Sequence, residues 1–283
     1  MSDFDITGMT ENRMDRRMTT NSQAGEDDKK AQVQDYFSRN AEGYVASFSH
    51  RQGGDLDRLI ELGEWDSSQS ALDVATGGGH TALAVAPHVG RITVTDLTPR
   101  MLEKAREFIL AQRVTNALFQ EADAENLPFA DGSFERVTCR IAPHHFPDIA
   151  RFVREVARVL SPGGIFLLID CMAPGDPELD VFDNRVEKWR DPSHGRSCTL
   201  EEWQAFFARA GLTIERLEFF RKTHEYDDWT LRAKLPPHEK ARLARFILES
   251  DERIQHYFEV KRKQDGQLES FTNDFLLLKG RKK

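Results

Sequence analysis

The sequence has few of the features that mark secreted, membrane or nucleic-acid-binding proteins. Its 283 residues include only three cysteines, none paired as CxxC, which argues against a disulfide framework and the usual zinc spacing. No apolar run is long enough to span a bilayer, and the N-terminus lacks the apolar core of a signal peptide. The net charge of −8 argues against general nucleic-acid binding, which needs a basic face. We therefore expect a cytoplasmic protein with no membrane span and no nucleic-acid partner.

The N-terminal part changes character near residue 30. Residues 1–30 are polar and would bury too little apolar area to offset their ordering entropy, so they predict a disordered tail. From there to residue 48, apolar and aromatic side chains recur at near-helical spacing. Residues 31–65 therefore predict a helical lid over a ligand, with Tyr36 or Tyr44 facing it, or else a helix pair that only packs on the domain.

A glycine-rich turn follows the first apolar strand of the chain. Residues 71–82 read ALDVATGGGHTA, in which the glycines allow a sharp turn and the close approach of a ligand. A second strand ends at Asp96, about 20 residues further on, where a carboxylate can bind ribose hydroxyls. Together they predict a site for an adenosine-containing ligand. The spacing Gly77-x-Gly79-x-x-Ala82 also fits a relaxed dinucleotide fingerprint, so an NAD-dependent dehydrogenase stays open.

Apolar strands and amphipathic helices alternate along the rest of the chain. The pattern predicts strands at residues 71–74, 91–96, 117–123, 134–139, 165–170, 212–220 and 271–278. Alternation of this kind favours an α/β fold with a doubly wound sheet. We expect a ligand-binding core at residues 70–172 and a C-terminal part of the sheet at 201–283. Between them, an irregular insert at 173–200, with a charged helical piece near residues 182–189, would serve as an acceptor lid.

Several motifs together resemble one enzyme family. They are the glycine loop, Asp96, the segments EADAENLPF (121–129) and DGSFE (131–135), Arg140, HHF (144–146) and RVLSPGG (158–164). This combination resembles the class I S-adenosylmethionine (SAM)-dependent methyltransferases, in the type 11 group that includes the ubiquinone/menaquinone C-methyltransferases. The segment RDPSH (190–194) also resembles an element of small-molecule methyltransferases of unassigned substrate.

The resemblance implies a fold, a cofactor and a reaction. The fold would be Rossmann-like, with a seven-stranded, mostly parallel sheet whose last strand is antiparallel, and with the helical N-terminal lid. The cofactor would be SAM, released as S-adenosylhomocysteine (SAH), with no metal. The partner would be a small-molecule methyl acceptor. Neither the acceptor nor the atom that is methylated can be read from the motifs.

The resemblance also assigns roles to individual residues. Gly77–Gly79 would border the methionine part of SAM, Asp96 the ribose, Asp123 the adenine amino group, and Arg140 the sulfonium. The expected cofactor-binding set is Tyr36, Tyr44, Asp73, Ala75, Gly77, Gly79, Asp96, Leu97, Asp123, Ala124 and Arg140. Ala75 stands where the family often has glycine, which predicts a slightly tighter site.

Catalytic and acceptor-binding residues are less clearly marked. His144 and His145 are candidates for a general base, needed only if the acceptor must lose a proton, and each could instead be a structural hydrogen-bonding group. Adjacent histidines rarely face the same way, which argues against a metal. The expected acceptor-binding set is Arg190, His194, Arg196, Tyr226, Trp229 and Arg232, of which the last three would lie on a loop after the sixth strand or merely pack the C-terminal helix.

Two further alternatives stay open at this point. A non-enzymatic SAM-binding or regulatory protein would keep the cofactor residues and lack the acceptor site. Methylation of nucleic acid or protein is disfavoured by the acidic composition. It is also disfavoured because RIAP (140–143) stands where a base-flipping motif of the Asn-Pro-Pro-Tyr type would be expected.

Overall fold

The computed structural model describes residues 25, 27–39 and 54–283 of the chain. Helix α1 covers residues 27–39, so the last four residues of the expected tail are helical. The rest of that tail lies outside the described residues apart from residue 25, and so does Tyr44.

Ten α-helices and eight strands make up the described part of the chain. After α1, the helices are α2 (Gly54–Leu62), α3 (His80–Val85), α4 (Pro99–Ala111), α5 (Ile149–Val159), α6 (Pro177–Arg190), α7 (Leu200–Arg209), α8 (Tyr226–Arg232), α9 (Pro237–Leu248) and α10 (Glu252–Tyr257). Two 3₁₀ turns lie at Ala86–His88 and Pro143–His145. The strands are β1 (Ser70–Asp73), β2 (Arg91–Asp96), β3 (Ala117–Glu121), β4 (Phe134–Arg140), β5 (Leu160–Cys171), β6 (Leu212–Glu225), β7 (Lys261–Arg262) and β8 (Leu268–Lys282).

The strands form one sheet in the order β3-β2-β1-β4-β5-β8-β6, with the short β7 paired to β8. Strands β1 to β5 pair in parallel, whereas β8 is antiparallel to both β5 and β6. The expected doubly wound sheet with an antiparallel last strand is therefore confirmed, and β7 is an addition to it. The chain winds outward from β1 through β3 and then returns to β4, so the sheet reverses between β1 and β4. Ligands of such folds bind beyond the carboxyl ends of the strands at this point.

Strand β5 shows why the sheet is buried on both faces. Its segment from Ile165 to Ile169 is fully buried, and alternate side chains belong to different hydrophobic clusters. Phe166 and Leu168 pack with Phe152 and Trp203, whereas Ile165, Leu167 and Ile169 pack in the cluster that contains Ile92 and Val94. A near-continuous apolar sequence is what a central parallel strand covered by two helical layers requires.

The C-terminal third differs from the sequence prediction in three respects. Strand β6 runs to Glu225, five residues beyond its predicted end, because antiparallel pairing with β8 continues to Ser270. Residues 226–232 form α8 rather than a loop. Strand β8 extends beyond both ends of the predicted strand at 271–278, over Leu268–Lys282. In the insert, the helical piece expected near residues 182–189 is the 14-residue helix α6, capped by Asp176 and started by Pro177. Within the described residues, we find no helix that is both long and apolar enough to cross a bilayer.

Candidate active site

A cavity of about 540 Å³ lies at the carboxyl ends of β1, β2 and β4, where the sheet reverses. Its walls come from α1, the loop after β1, the ends of β2 and β4, and the C-terminal elements α6, β6, α8 and β8. The predicted site residues that line it are Ala75, Gly77, Asp96, Leu97, Asp123, Ala124, Arg140, His144, His145, Arg190, Trp229 and Arg232. The volume falls within the range of small-molecule sites.

The glycine loop has left-handed backbone conformations at three positions. Ala75, Gly77 and Gly79 have φ angles of 52°, 56° and 83°. Ala75 and Gly77 line the cavity. Gly79 is not among the lining residues: a Cβ there would lie 3.0 Å from Ile109 Cδ1 and 3.2 Å from Ala105 Cβ. Glycine at 79 therefore allows α3 to approach α4, which is a packing role rather than the expected ligand contact.

Asp73 lies behind the glycine loop and is not among the lining residues. Its carboxylate is 1 % exposed and accepts hydrogen bonds from Thr76 Oγ1 and Thr138 Oγ1, both at 2.6 Å. Burial raises the pKa of Asp73 to about 6, against the hydrogen bonds from the two threonines, which lower it. The position expected to bind cofactor therefore ties β1 to β4 and to the loop.

Asp96 is the last residue of β2 and lines the cavity. Its Oδ2 accepts from the backbone N–H of Gly77 at 3.0 Å, and its Oδ1 accepts from the backbone N–H of Thr98 at 2.8 Å. Each carboxylate oxygen has a further lone pair for a ligand hydroxyl. Burial raises the pKa of Asp96 to about 6.

Helix α1 lies against the part of the cavity formed by Asp123. Lys30 Nζ is 2.7 Å from Asp123 Oδ2 and 2.6 Å from Glu125 Oε2. Gln34 Nε2 donates to the backbone carbonyl of Leu97 at 2.8 Å. The aromatic side chain of α1 that lines the cavity is Phe37; Tyr36 is not among the lining residues.

The two adjacent histidines both line the cavity but are held differently. His144 Nδ1 lies 2.7 Å from Asp170 Oδ1, and its backbone N–H donates to Asp170 Oδ2 at 3.0 Å. Burial lowers the pKa of His144, but the Asp170 carboxylate outweighs it and the net pKa is raised. His145 Nδ1 lies 3.2 Å from the hydroxyl of Ser193. Burial and the neighbouring His144 lower the pKa of His145.

The atoms of His144, Asp170 and Cys171 that could bind a metal lie within 4.8 Å of one another. They already bond to protein groups: His144 to Asp170, and the Cys171 thiol to the Ser197 hydroxyl at 3.1 Å. Burial raises the pKa of Cys171 well above its ordinary value. Because these atoms already bond to one another and to Ser197, no metal site is evident among the described residues.

Three residues of the expected acceptor-binding set are bonded elsewhere. His194 Nε2 lies 3.1 Å from Asn184 Oδ1. Arg196 forms ion pairs with Asp180 and Glu202 at 2.9 and 3.0 Å. The Tyr226 hydroxyl donates to the Lys240 carbonyl at 2.6 Å. Since none of the three is among the residues that line the cavity, the structure does not bring them to it.

Comparison with known proteins agrees with this geometry. Residues 72–168 match the family model described as a methyltransferase domain. The uncharacterised methyltransferase YcgJ of Bacillus subtilis (strain 168) is 39 % identical over 247 residues, covering 87 % of this chain and 98 % of the relative. The chain belongs to this methyltransferase family.

Two further proteins are similar to this methyltransferase. The solved structure of BH2331 from Bacillus halodurans C-125, a methyltransferase candidate, is 40 % identical with a TM-score of 0.79, covering 81 % of this chain and 99 % of that one. The ubiquinone/menaquinone C-methyltransferase UbiE of Brucella abortus (strain S19) is 32 % identical, covering 58 % of this chain and 64 % of the relative. The expected membership of the class I SAM-dependent group is confirmed. Neither a dehydrogenase nor a non-enzymatic protein finds support among these relatives.

The structure also brings residues to the methyltransferase site that the sequence analysis missed. Asp55 on α2 lies 2.8 Å from Arg140 Nη2 and 3.2 Å from Lys222 Nζ. Lys222 and His224 on β6 both line the cavity. They share one face of the strand because side chains alternate along it. The alternation of side chains that marks a strand continues through residue 224, but the sequence analysis predicts that the strand ends at residue 220.

Proposed function

We propose that this methyltransferase moves the methyl group of SAM to a small-molecule acceptor in the cytoplasm. The observation that carries the proposal is one continuous cavity with two chemically distinct ends. One end has Gly77, Asp96 and Asp123 at the carboxyl edge of the sheet, and the other has charged and aromatic side chains from β6 and α8. The cytoplasmic assignment is supported by the three cysteines, all of which are buried and free.

The residues at the first end fit SAM. The backbone at Gly77 leaves room for the methionine part, since the nearest atom to a Cβ placed there would be Met101 Cε at 3.8 Å. Asp96 has lone pairs for the ribose hydroxyls, Asp123 for the adenine amino group, and the Ala124 backbone borders the ring. When bound, SAM supplies an activated methyl group on a sulfonium.

The protein's own contribution is to position the acceptor and exclude water. Phe37, Glu187 and Trp229 enclose the cavity from three helices, α1, α6 and α8, so an acceptor must be small enough to enter. Catalysis then requires that the acceptor atom be held in line with the methyl group. If the acceptor must lose a proton, His144 and His145 are the candidate bases that line the cavity. The Asp170 carboxylate raises the pKa of His144, whereas burial lowers that of His145.

Calorimetric titration with SAM, SAH and NADH tests the cofactor assignment. We expect both adenosyl compounds to bind with micromolar affinity and NADH not to bind. The variant Asp96→Asn should weaken SAM binding at least about tenfold. The matched control Asp57→Asn, an exposed position on α2, should leave it unchanged. Binding of NADH alone would overturn the proposal. If the adenosyl compounds bind, SAH release can be used to screen quinols, phenols, small acids and thiols as acceptors.

A further inference from the structure

One part of the cavity is lined by residues of the C-terminal elements and of α6. Its residues are Arg190, Lys222, His224, Trp229, Arg232 and Phe275, all of which line the cavity; we call it the acceptor chamber. Lys222 and His224 come from β6, Phe275 from β8, and the others from α6 and α8. The cofactor assignment above uses none of them.

His224 has a ring nitrogen with no assigned protein partner. The imidazole lies among aromatic rings, with ring centres 5.9 Å from Trp229, 5.4 Å from Phe271 and 6.5 Å from Phe275. Its Nε2 is buried and has no hydrogen-bond partner among the residues that the structure describes. A buried polar group without a partner costs free energy. Since His224 lines the cavity, a ligand can supply the missing bond.

Three cations act on this imidazole, and carboxylates lie beside two of them. Burial, followed by the cations Arg190, Arg232 and Lys222, lowers the pKa of His224 to about 3. Carboxylates lie nearby. The charged groups of Glu187 and Arg190 are 3.4 Å apart, and those of Asp55 and Lys222 are 3.2 Å apart. Glu225 and Asp228 also line the cavity. Burial and the three cations together keep the imidazole neutral.

The walls of the chamber are aromatic, and two of its cations lie against them. The Arg190 guanidinium is 4.7 Å from the centre of the Trp229 ring, and Lys222 Nζ is 4.6 Å from the centre of the Phe275 ring. Such cation–π contacts fix the position of the charges. Trp229 is itself 2 % exposed and therefore rigidly placed. The chamber thus combines flat apolar surfaces with fixed positive charge.

We propose that the acceptor chamber binds a planar, carboxylate-bearing acceptor, whose carboxylate lies among Lys222, Arg190 and Arg232 and whose O–H or N–H group donates to the unpartnered ring nitrogen of His224. This inference rests on the proposed methyl transfer to a small molecule and names the chemical class of that molecule. His224 is then a recognition residue that touches the acceptor.

Matched probes test the charge requirement. The protein saturated with SAH is titrated with the three isomers of hydroxybenzoate, with the corresponding hydroxybenzamides, and with benzoate. We expect at least one hydroxybenzoate to bind at least tenfold more tightly than its neutral amide and several-fold more tightly than benzoate, which lacks the hydroxyl. Equal binding of acid and amide, or no binding of any of the acids, would overturn the proposal.

Variants test the residues. His224→Phe keeps the aromatic wall and removes the nitrogen, so hydroxybenzoate affinity should fall about tenfold while benzoate and SAH affinities stay unchanged. His224→Gln, which keeps a hydrogen-bonding side chain, should recover part of the loss. Arg232→Met should weaken hydroxybenzoate and benzoate alike. The controls His238→Phe and Arg242→Met change exposed residues of α9 that do not line the cavity.

The SAH titration separates this inference from the proposed function. Failure of the wild-type protein to bind SAH would remove both. Normal SAH binding in wild type and in His224→Phe, with no selectivity for the hydroxybenzoates in either, would remove only the acceptor chamber. A melting curve for each variant shows whether it folds, and Arg232→Met keeps the charge requirement testable if His224→Phe does not.

Discussion

Lys30 and Asp123 form an ion pair, with 2.7 Å between Nζ and Oδ2, that joins helix α1 to the carboxylate proposed to bind adenine. The pair is partly buried, with 17 % and 28 % of the two side chains exposed. Lys30 also contacts Glu125, whose side chain is 1 % exposed. Asp123 therefore has two roles: it holds helix α1, which covers the site, and it is the carboxylate proposed to bind adenine.

Lys30→Met should loosen α1 over the cofactor. We expect SAH to dissociate several-fold faster in stopped-flow displacement. The free energy of unfolding should also fall, because the buried carboxylate of Glu125 is left without its cation. Lys104→Met removes the comparable pair with Glu107 and should leave the release rate unchanged. An unaltered release rate in Lys30→Met would show that α1 does not control access.

The two glycines of the loop should respond differently to alanine. Both have left-handed φ angles, so each substitution should cost about 1–2 kcal/mol of folding free energy. Gly79→Ala should cost more, because its Cβ meets Ile109 and Ala105 at 3.0–3.2 Å. Gly77→Ala should mainly weaken SAM binding. Denaturant unfolding and calorimetry measure the two effects, and equal changes at both positions would contradict the separate roles.

Ala75 has a strained, left-handed backbone conformation. Its φ of 52° disfavours an L-residue with a Cβ, so Ala75→Gly should leave the free energy of unfolding unchanged or raise it by up to about 1 kcal/mol. The control Ala241→Gly, at an exposed position within α9, should lower it by about 1 kcal/mol. Equal destabilisation by both would show that the loop does not carry this strain.

Asp73 makes the free energy of unfolding fall as the pH rises. Its folded-state pKa of about 6 lies above the ordinary value of 3.8, so the native state is protonated at a higher pH than the unfolded state. Its contribution to stability falls as the pH rises from about 4 to about 6. Asp73→Asn removes the buried charge while the Thr76 and Thr138 hydroxyls reorient to bond the amide. It should therefore be more stable than wild type at neutral pH, by up to about 3 kcal/mol.

Urea unfolding at several pH values between 4 and 8 measures this difference. The advantage of Asp73→Asn should shrink as the pH falls from about 6 to about 4. Asp57→Asn serves as the exposed control. An advantage that stays constant over this range would rule out protonation of Asp73 as its cause.

His145→Ala tests one of the two candidate bases. With an acceptor that must lose a proton, kcat should fall about 10²–10⁴-fold, while SAM affinity stays unchanged. His256→Ala changes an exposed histidine of α10 and should leave kcat intact. Normal turnover in His145→Ala would make His145 a structural residue.

The local parts of the site could be predicted from the sequence. The apolar strand, the glycines and Asp96 lie within 30 residues, and each depends on neighbouring residues: backbone freedom at glycine, and a carboxylate where a strand ends. The apolar run of β5 likewise determined a central strand, because a segment buried on both faces must be apolar along its whole length. These elements sufficed for a doubly wound sheet with an adenosine-type site, whereas the family and SAM followed from the resemblance of motifs spread over residues 71–164.

Only the tertiary structure decided which distant residues meet. Asp55 and Arg140 are 85 positions apart, and Lys30 and Asp123 are 93 apart. Their ion pairs exist because the sheet and helices bring them together, which no local pattern encodes. His224 became part of the cavity because pairing with β8 extends β6 beyond its apolar segment. Sequence by itself determines what each segment prefers to form, whereas long-range packing determines which side chains share a site.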